Sequence, residues 1–125
     1  MPDAATTAAL RILGLAHRAG RAVVGTRAVV EAAAGGELTA VVVARDATDN
    51  ALDRLSGVLG RADLGAFEGP ERGRLGEALG RQRLVVVGVT GAGFAEKLAE
   101  RLPRHPGPSD EDASDGKSDT LRQVR

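Results

Sequence analysis

Residues 38–46, "LTAVVVARD", contain an unbroken apolar run from Ala40 through Val41, Val42 and Val43 to Ala44. A strand with one wet face alternates apolar and polar side chains. An unbroken, largely β-branched run instead belongs to a strand covered on both faces. "RQRLVVVGV", residues 81–89, predicts another strong strand. Strands of this kind need apolar layers above and below them, and the segments between them have helical spacing.

Residues 6–18 read as a helix with Leu10, Leu13 and His17 in step and Gly20 placed to end it. "RAVVG" predicts a short strand closed by Gly25. "TRAVVEAAAGG" follows as an alanine-rich helix stopped by Gly35 and Gly36. After the central run, "ATDNALDRLSGVLGRA" restores a helical pattern through Leu52, Leu55, Val58 and Leu59, with Asp46 or Thr48 as its N-cap. "DLGAFEG" is a weak edge strand around Ala66 and Phe67. Pro70 suits the first turn of a helix running to Gly80. "GAGFAEKLAERL" is the last helix, and Pro103 marks the domain's end. Strands alternating with helices imply an α/β fold, a sheet covered on both faces in a three-layer α-β-α sandwich.

One domain is expected over residues 1–102. Residues 103–125, "PRHPGPSDEDASDGKSDTLRQVR", have almost nothing to bury and are expected to form a disordered polar tail. The chain has 17 basic and 17 acidic side chains. Residues 1–102 hold thirteen bases and twelve acids, which excludes a strongly basic nucleic-acid binder but leaves room for a local basic face. There is no cysteine, so thiol catalysis, disulfides and zinc fingers are excluded. The N-terminus lacks a basic leader region, and no apolar run approaches the ~20 residues of a membrane span. A cytoplasmic location without membrane association is expected.

Gly88, Gly91 and Gly93 in "GVTGAG" raise the question of a phosphate-cradling loop. A Walker-type loop needs Lys and then Ser or Thr at the helix start, and here Phe94 and Ala95 follow. A dinucleotide site needs a further strand bearing an acid for the ribose, and only the polar tail comes next. The glycines are therefore expected to form a strand-to-helix corner. Asp46, Thr48 and Asp49 are explained by capping, so no metal and no cofactor is expected. His17 has no ligand partner at suitable spacing and is expected on a helix face.

In order along the chain, "LGLAHRAGRAVVGTRAVVEAAAGGELTAVVVARDATDN", "LGEALG" and "RLVVVGVTGAGFAEKL" resemble the bacterial YlxQ-like branch of the kink-turn RNA-binding ribosomal protein superfamily. The likeness is collinear over residues 10–102. It implies a three-layer α-β-α sandwich with a mixed sheet of about four strands, and RNA binding without catalysis. In that family the helix after the first strand opens with a G-x-N-E-x-x-K-like motif that meets the tandem G·A pairs of a sharply bent duplex.

Carried over by position, Gly25 is the family glycine, Thr26 follows it, and Arg27 stands where Asn or Lys reads the guanines. Glycine lets backbone approach backbone, helix-start amides favour phosphate, and Arg27 offers two donors to a guanine edge. A second family contact comes from the loop before the last strand, here Gly80, Arg81, Gln82 and Arg83. This loop carries arginines where ribosomal members have small apolar residues, which suits phosphate contact. Arg18 and Arg21 would extend the basic rim if the turn at Gly20 faced the same side. Two positions depart from the motif. Ala28 replaces the family Glu, and Glu31 replaces its Lys and is spaced to pair with Arg27 at i,i+4.

The leading expectation is a non-catalytic RNA-binding protein contacting kink-turn-like RNA, ribosomal RNA included, and associated with the ribosome or translation machinery. The alternative is a protein-interaction module of the same fold that has lost RNA recognition, motivated by Ala28 and Glu31. A nucleotide-binding enzyme rests on "GVTGAG" alone. With two Phe and no Tyr or Trp, base stacking on an aromatic sheet face is not available.

Overall fold

The computed structural model describes residues 3–106. Five helices and four strands alternate: α1 (Asp3–Arg18), β1 (Ala22–Val24), α2 (Thr26–Ala34), β2 (Ala40–Ala44), α3 (Asp49–Leu59), β3 (Gly65–Gly69), α4 (Arg72–Ala78), β4 (Val86–Val89) and α5 (Ala92–Arg101). The sheet order is β1-β4-β2-β3. β4 is antiparallel to both β1 and β2, whereas β3 runs parallel to β2. This is the mixed, four-stranded α-β-α sandwich expected from the sequence.

The unbroken apolar run sits where its composition demands. Ala40, Val42 and Ala44 point into one core with Leu13 of α1, Leu75 of α4 and Leu98 of α5. Val41 and Val43 point into the other, with Val29 of α2 and Leu55 of α3. Val41, Val42 and Val43 are completely buried. In β4 the same division holds, with Val87 and Val89 on the first side and Val86 on the second. Gly88 leaves room on the second side for Leu38, whose Cδ1 would lie 2.9 Å from a Cβ at that position.

Several boundaries differ from the sequence reading, each for a local reason. Thr48 is the N-cap of α3, accepting from the Ala51 amide at 3.2 Å. Asp46, the other candidate, serves a different helix, accepting from the Arg72 amide at the start of α4 at 2.7 Å. Pro70 precedes α4 rather than opening it, because its carbonyl is held by the Arg45 amide and extends the β2–β3 pairing. β4 starts at Val86 instead of Arg81. Residues 81–85 run back along α4 from its end toward its start, with the Arg81 amide donating to Gly76 O and the Leu84 amide to Arg72 O.

"DLGAFEG" forms a full five-residue strand, weak in the sequence because glycine stands at both ends. The packing requires those glycines: a Cβ at Gly69 would meet Val42 Cγ1 at 2.7 Å, and one at Gly65 would meet the Phe67 ring at 3.0 Å. The chain also continues in order past α5. Pro103 O accepts from the Glu68 amide and the His105 amide donates to Ala66 O, covering the outer edge of β3. Beyond residue 106 the expected polar tail lies outside the described residues.

Gly76 sets how closely α4 approaches the loop it precedes. A Cβ there would sit 2.8 Å from Arg83 N and 2.9 Å from Arg81 O, both backbone atoms with little freedom to move. Overpacking of this kind costs about 1–3 kcal/mol. Gly76→Ala is therefore expected to lower the urea midpoint and shift the amide resonances of residues 81–84. Gly73→Ala, at a position with nothing within 4 Å of its added Cβ, is expected to be neutral or slightly stabilising through helix propensity.

Candidate nucleic-acid interface

The two segments singled out in the sequence lie more than fifty residues apart, and the sheet brings them together. β1 pairs with β4 so that Val24 faces Val87, and the next amide, that of Gly25, donates to Val86 O at 3.1 Å. On the other side of β4, the Ala44 amide donates to Val85 O at 2.8 Å. The start of α2, the loop of residues 81–85 and the β2–α3 turn therefore share one end of the sheet.

Gly25 has φ 98° and ψ 156°, a region essentially reserved for glycine. Nothing lies within 4 Å of a Cβ built there. Conformation, not packing, demands the glycine, and the space over it is open. The α2 N-terminus has no side-chain cap and no acid in its first turn. Its leading amides thus keep the unmet donors and partial positive charge of a helix start.

Arg27 is exposed and pairs with Glu31 as the i,i+4 spacing anticipated, Nε to Oε2 at 3.3 Å with side chains 85% and 68% exposed. A solvated pair of this type contributes about 0.2–0.5 kcal/mol, too little to hold the guanidinium against a phosphate or a guanine edge. Arg81, Gln82 and Arg83 are exposed, and among the described residues their side chains make no hydrogen bond or ion pair. The backbone of this loop is held to α4, while the two guanidinium groups and the Gln82 amide are exposed.

The other bases at this end are already engaged. Arg45 Nη2 lies 2.6 Å from Glu71 Oε2, and this hydrogen bond raises the Arg45 pKa. Glu71 is held below the usual carboxylate range, first by its own backbone amide and then by Arg45. Arg72 Nε lies 3.4 Å from Asp46 Oδ2, an ion-pair distance at which Nε finds no hydrogen-bond acceptor. These pairs tie the β2–α3 turn to the start of α4, and α4 in turn carries the loop of residues 81–83. They support the interface rather than face a ligand. No local pattern in the sequence marks these pairs; the glycine inside α4, Gly76, marks only the close approach of that helix to residues 81–83.

Arg18 and Arg21 do not extend this rim. Ala22 pairs with Val89 and the Thr90 amide donates to Arg21 O, so the turn at Gly20 lies at the opposite end of the sheet. The "GVTGAG" corner lies there too. Gly91 is the N-cap of α5 with φ 94°. Thr39 Oγ1 donates to Val89 O and Gly91 O, and Phe94 packs on the core. The strand a dinucleotide site needs after this helix is replaced by the short pairing along β3. Among the described residues no three His, Cys, Asp or Glu side chains converge as metal ligands, and no helix is long and apolar enough to cross a membrane.

A mixed sheet between two helical layers, with a glycine-led helix start beside the loop feeding the central antiparallel strand, defines a class of small α-β-α proteins. The chain belongs to the ribosomal protein L7Ae/L30e/S12e/Gadd45 family, whose model matches residues 7–99. Within it the chain falls in the YlxQ-like branch. It is 31% identical over 91 residues to the RNA-binding protein YlxQ of Bacillus subtilis, covering 73% of this chain and 91% of that one. A solved structure of a protein of unknown function from Bacillus halodurans C shares 36% identity at a TM-score of 0.67, covering 74% of this chain and 93% of the other. The Giardia lamblia 15.5kD RNA binding protein shares the fold at a TM-score of 0.61 and 15% identity, over 77% of this chain and 82% of its own.

The support proposed for Asp46 has a pH signature. Burial works against its ionised form, but the Arg72 amide and guanidinium outweigh this and hold its pKa below the ordinary 3.8. A depressed carboxyl contributes its stability above the unfolded pKa and loses it as pH falls through the folded one. The stability gap between the wild type and Asp46→Asn is thus expected to be widest near about pH 6–7 and to close below about pH 3. Urea titrations across that range check it.

Proposed function

We propose that this protein binds bent, kink-turn-like RNA without catalysis, through the α2 N-terminus and the loop before β4. The observation that carries the reading is the bond from the Gly25 amide to Val86 O. It sets an open, glycine-led helix start at the same end of the sheet as Arg81 and Arg83, whose side chains have no partner among the described residues. Gly25 and Thr26 offer close backbone approach and helix-start amides to a phosphate, Arg27 reads a guanine edge, and Arg81, Gln82 and Arg83 follow the flanking backbone. Kinship with an RNA-binding relative supports RNA as the ligand, and the family's ribosomal members support association with ribosomal RNA or the translation machinery in the cytoplasm.

Glu31 tempers this interface. It draws Arg27 along the helix and places a negative charge one turn from the reading position. With Ala28 in place of a polar side chain, the same observation favours a second reading, a protein-interaction module of the same fold. The two readings separate in one titration of a kink-turn RNA and an unkinked duplex of equal length and charge, each at two salt concentrations.

The RNA reading expects a clear preference for the kink-turn. Arg27→Glu is expected to reduce kink-turn affinity roughly 10- to 100-fold, and Glu31→Lys to raise it. Arg83→Ala is expected to weaken both RNAs and to flatten the log–log salt slope by about 0.7–0.9. Equal, weak binding to both RNAs, unchanged in Arg27→Glu, overturns the RNA reading in favour of the protein-interaction module.

A further inference from the structure

Between α1 and α5, a basic groove that the RNA reading does not use runs from Arg21, at the end of the sheet opposite Gly25, along the helices toward Arg101. It consists of two hollows of about 180 and 330 Å³ that share Lys97 as a wall. The first is lined by Arg11, Leu15 and Arg101 among others, and the second by Arg21 and Phe94. No acid lines either hollow. Arg11, Arg21 and Lys97 are exposed and have no ion-pair partner among the described residues, while Arg101 meets only its neighbour Glu100, at 3.0 Å. Leu15, 50% exposed, is the one large apolar side chain left exposed among the described residues, and half-buried Phe94 lines the other hollow. Four cations around two apolar side chains fit an acidic, flexible peptide.

We propose that the occupant is the acidic segment of this chain's own C-terminal region, Asp110, Glu111, Asp112 and Asp115, docked intramolecularly on Arg11, Arg21 and Lys97. Charge complementarity is the first argument. Residues 107–120 carry five acids against the single base Lys117, and they follow a domain in which this groove gathers bases without acids.

The point of departure is the second argument. Residues 103–105 run antiparallel to β3, from the Glu68 pairing to the Ala66 pairing. The chain therefore leaves at the sheet end shared by Gly65, Thr39, Val89 and Arg21, which are linked by the Gly65-to-Thr39, Thr39-to-Val89 and Thr90-to-Arg21 bonds. From the outer side of β3, the hollow at Gly91 and Phe94 lies about three strand spacings of ~4.8 Å and one helix diameter of ~10–12 Å away, some ~25 Å in all. Six residues from Pro106 to Asp112 span about 20 Å, and nine to Asp115 about 30 Å. Tethering supplies an effective concentration in the millimolar range, enough to populate contacts too weak to hold between separate molecules. The Gly25 edge lies at the other end of the strands, so this docking leaves the proposed RNA interface open and does not depend on it.

The absence of cysteine makes the test direct, because Ser114→Cys in the full chain accepts a single nitroxide label. At low salt the label is expected to broaden the amide resonances of Arg11, Leu15, Phe94 and Lys97 to below about half intensity and to release them near 0.5 M salt, where the Debye length falls to a few ångströms. Arg11→Glu with Lys97→Glu should abolish the broadening. So should Asp110→Lys, Glu111→Lys and Asp112→Lys together, at positions outside the described residues.

Broadening centred on Gly25 and Arg81, spread evenly over the surface, or indifferent to both variants overturns the proposal. Broadening in a mixture of isotope-labelled, spin-free protein and spin-labelled, isotope-free protein would assign the groove to another copy's tail and overturn the intramolecular form. Shifts at Arg11 and Lys97 on adding the kink-turn RNA, with no label effect there, would assign the groove to RNA instead.

Discussion

Burial of β2 and β4 on both faces is the constraint on which the rest of the structure depends. Completely buried valines alternate between two cores, so neither face of the sheet tolerates water and each requires a helical layer. α1, α4 and α5 supply one layer and α2 and α3 the other. Because both faces are occupied, the sheet presents its backbone only at its edges and strand ends. The β3 edge is closed by residues 103–105, and the chemistry is left to the two strand ends.

Those ends have opposite characters. At one, ion pairs between Arg45 and Glu71 and between Arg72 and Asp46 bind a turn to a helix. Among the described residues Arg81 and Arg83 have no ion-pair partner at this end, which also holds an uncapped helix start. At the other, Thr39 and the Gly91 corner complete the connection into α5, and the adjoining α1–α5 groove collects Arg11, Arg21 and Lys97. A chain of zero formal net charge can thus present local basic surfaces, because some of its acids, among them Asp46, Asp63 and Glu71, are held in ion pairs elsewhere. Surface pairs of this kind add little stability; their effect here is to decide which guanidinium groups remain available.

The elements were legible where one local signal dominated. The valine run identified β2, Gly20 and the paired glycines at 35 and 36 ended their helices, and i,i+4 spacing foretold the Arg27–Glu31 pair. They were misread where a distant partner outweighed the local signal. Asp46 looked like a cap for the helix that follows it, but α4 claims it across 26 positions. Residues 81–85 have strand composition, yet their amides turn back to Gly76 and Arg72. β3 looked weak because of glycines whose purpose, the approach of Phe67 and Val42, exists only once the sheet is assembled.

The sequence by itself determined the three-layer architecture, since a doubly buried run leaves the chain no other way to satisfy its apolar side chains. It also located Gly25, Arg27 and the arginines of residues 81–83 as candidate contacts, through their place in a motif. Only the tertiary structure decided that these segments share one end of the sheet and that Arg18 and Arg21 belong to the other. The physical reason is strand register: side-chain pattern reports which faces of a strand are buried, but which ends meet is settled by backbone pairing between residues far apart in the chain, such as Gly25 with Val86.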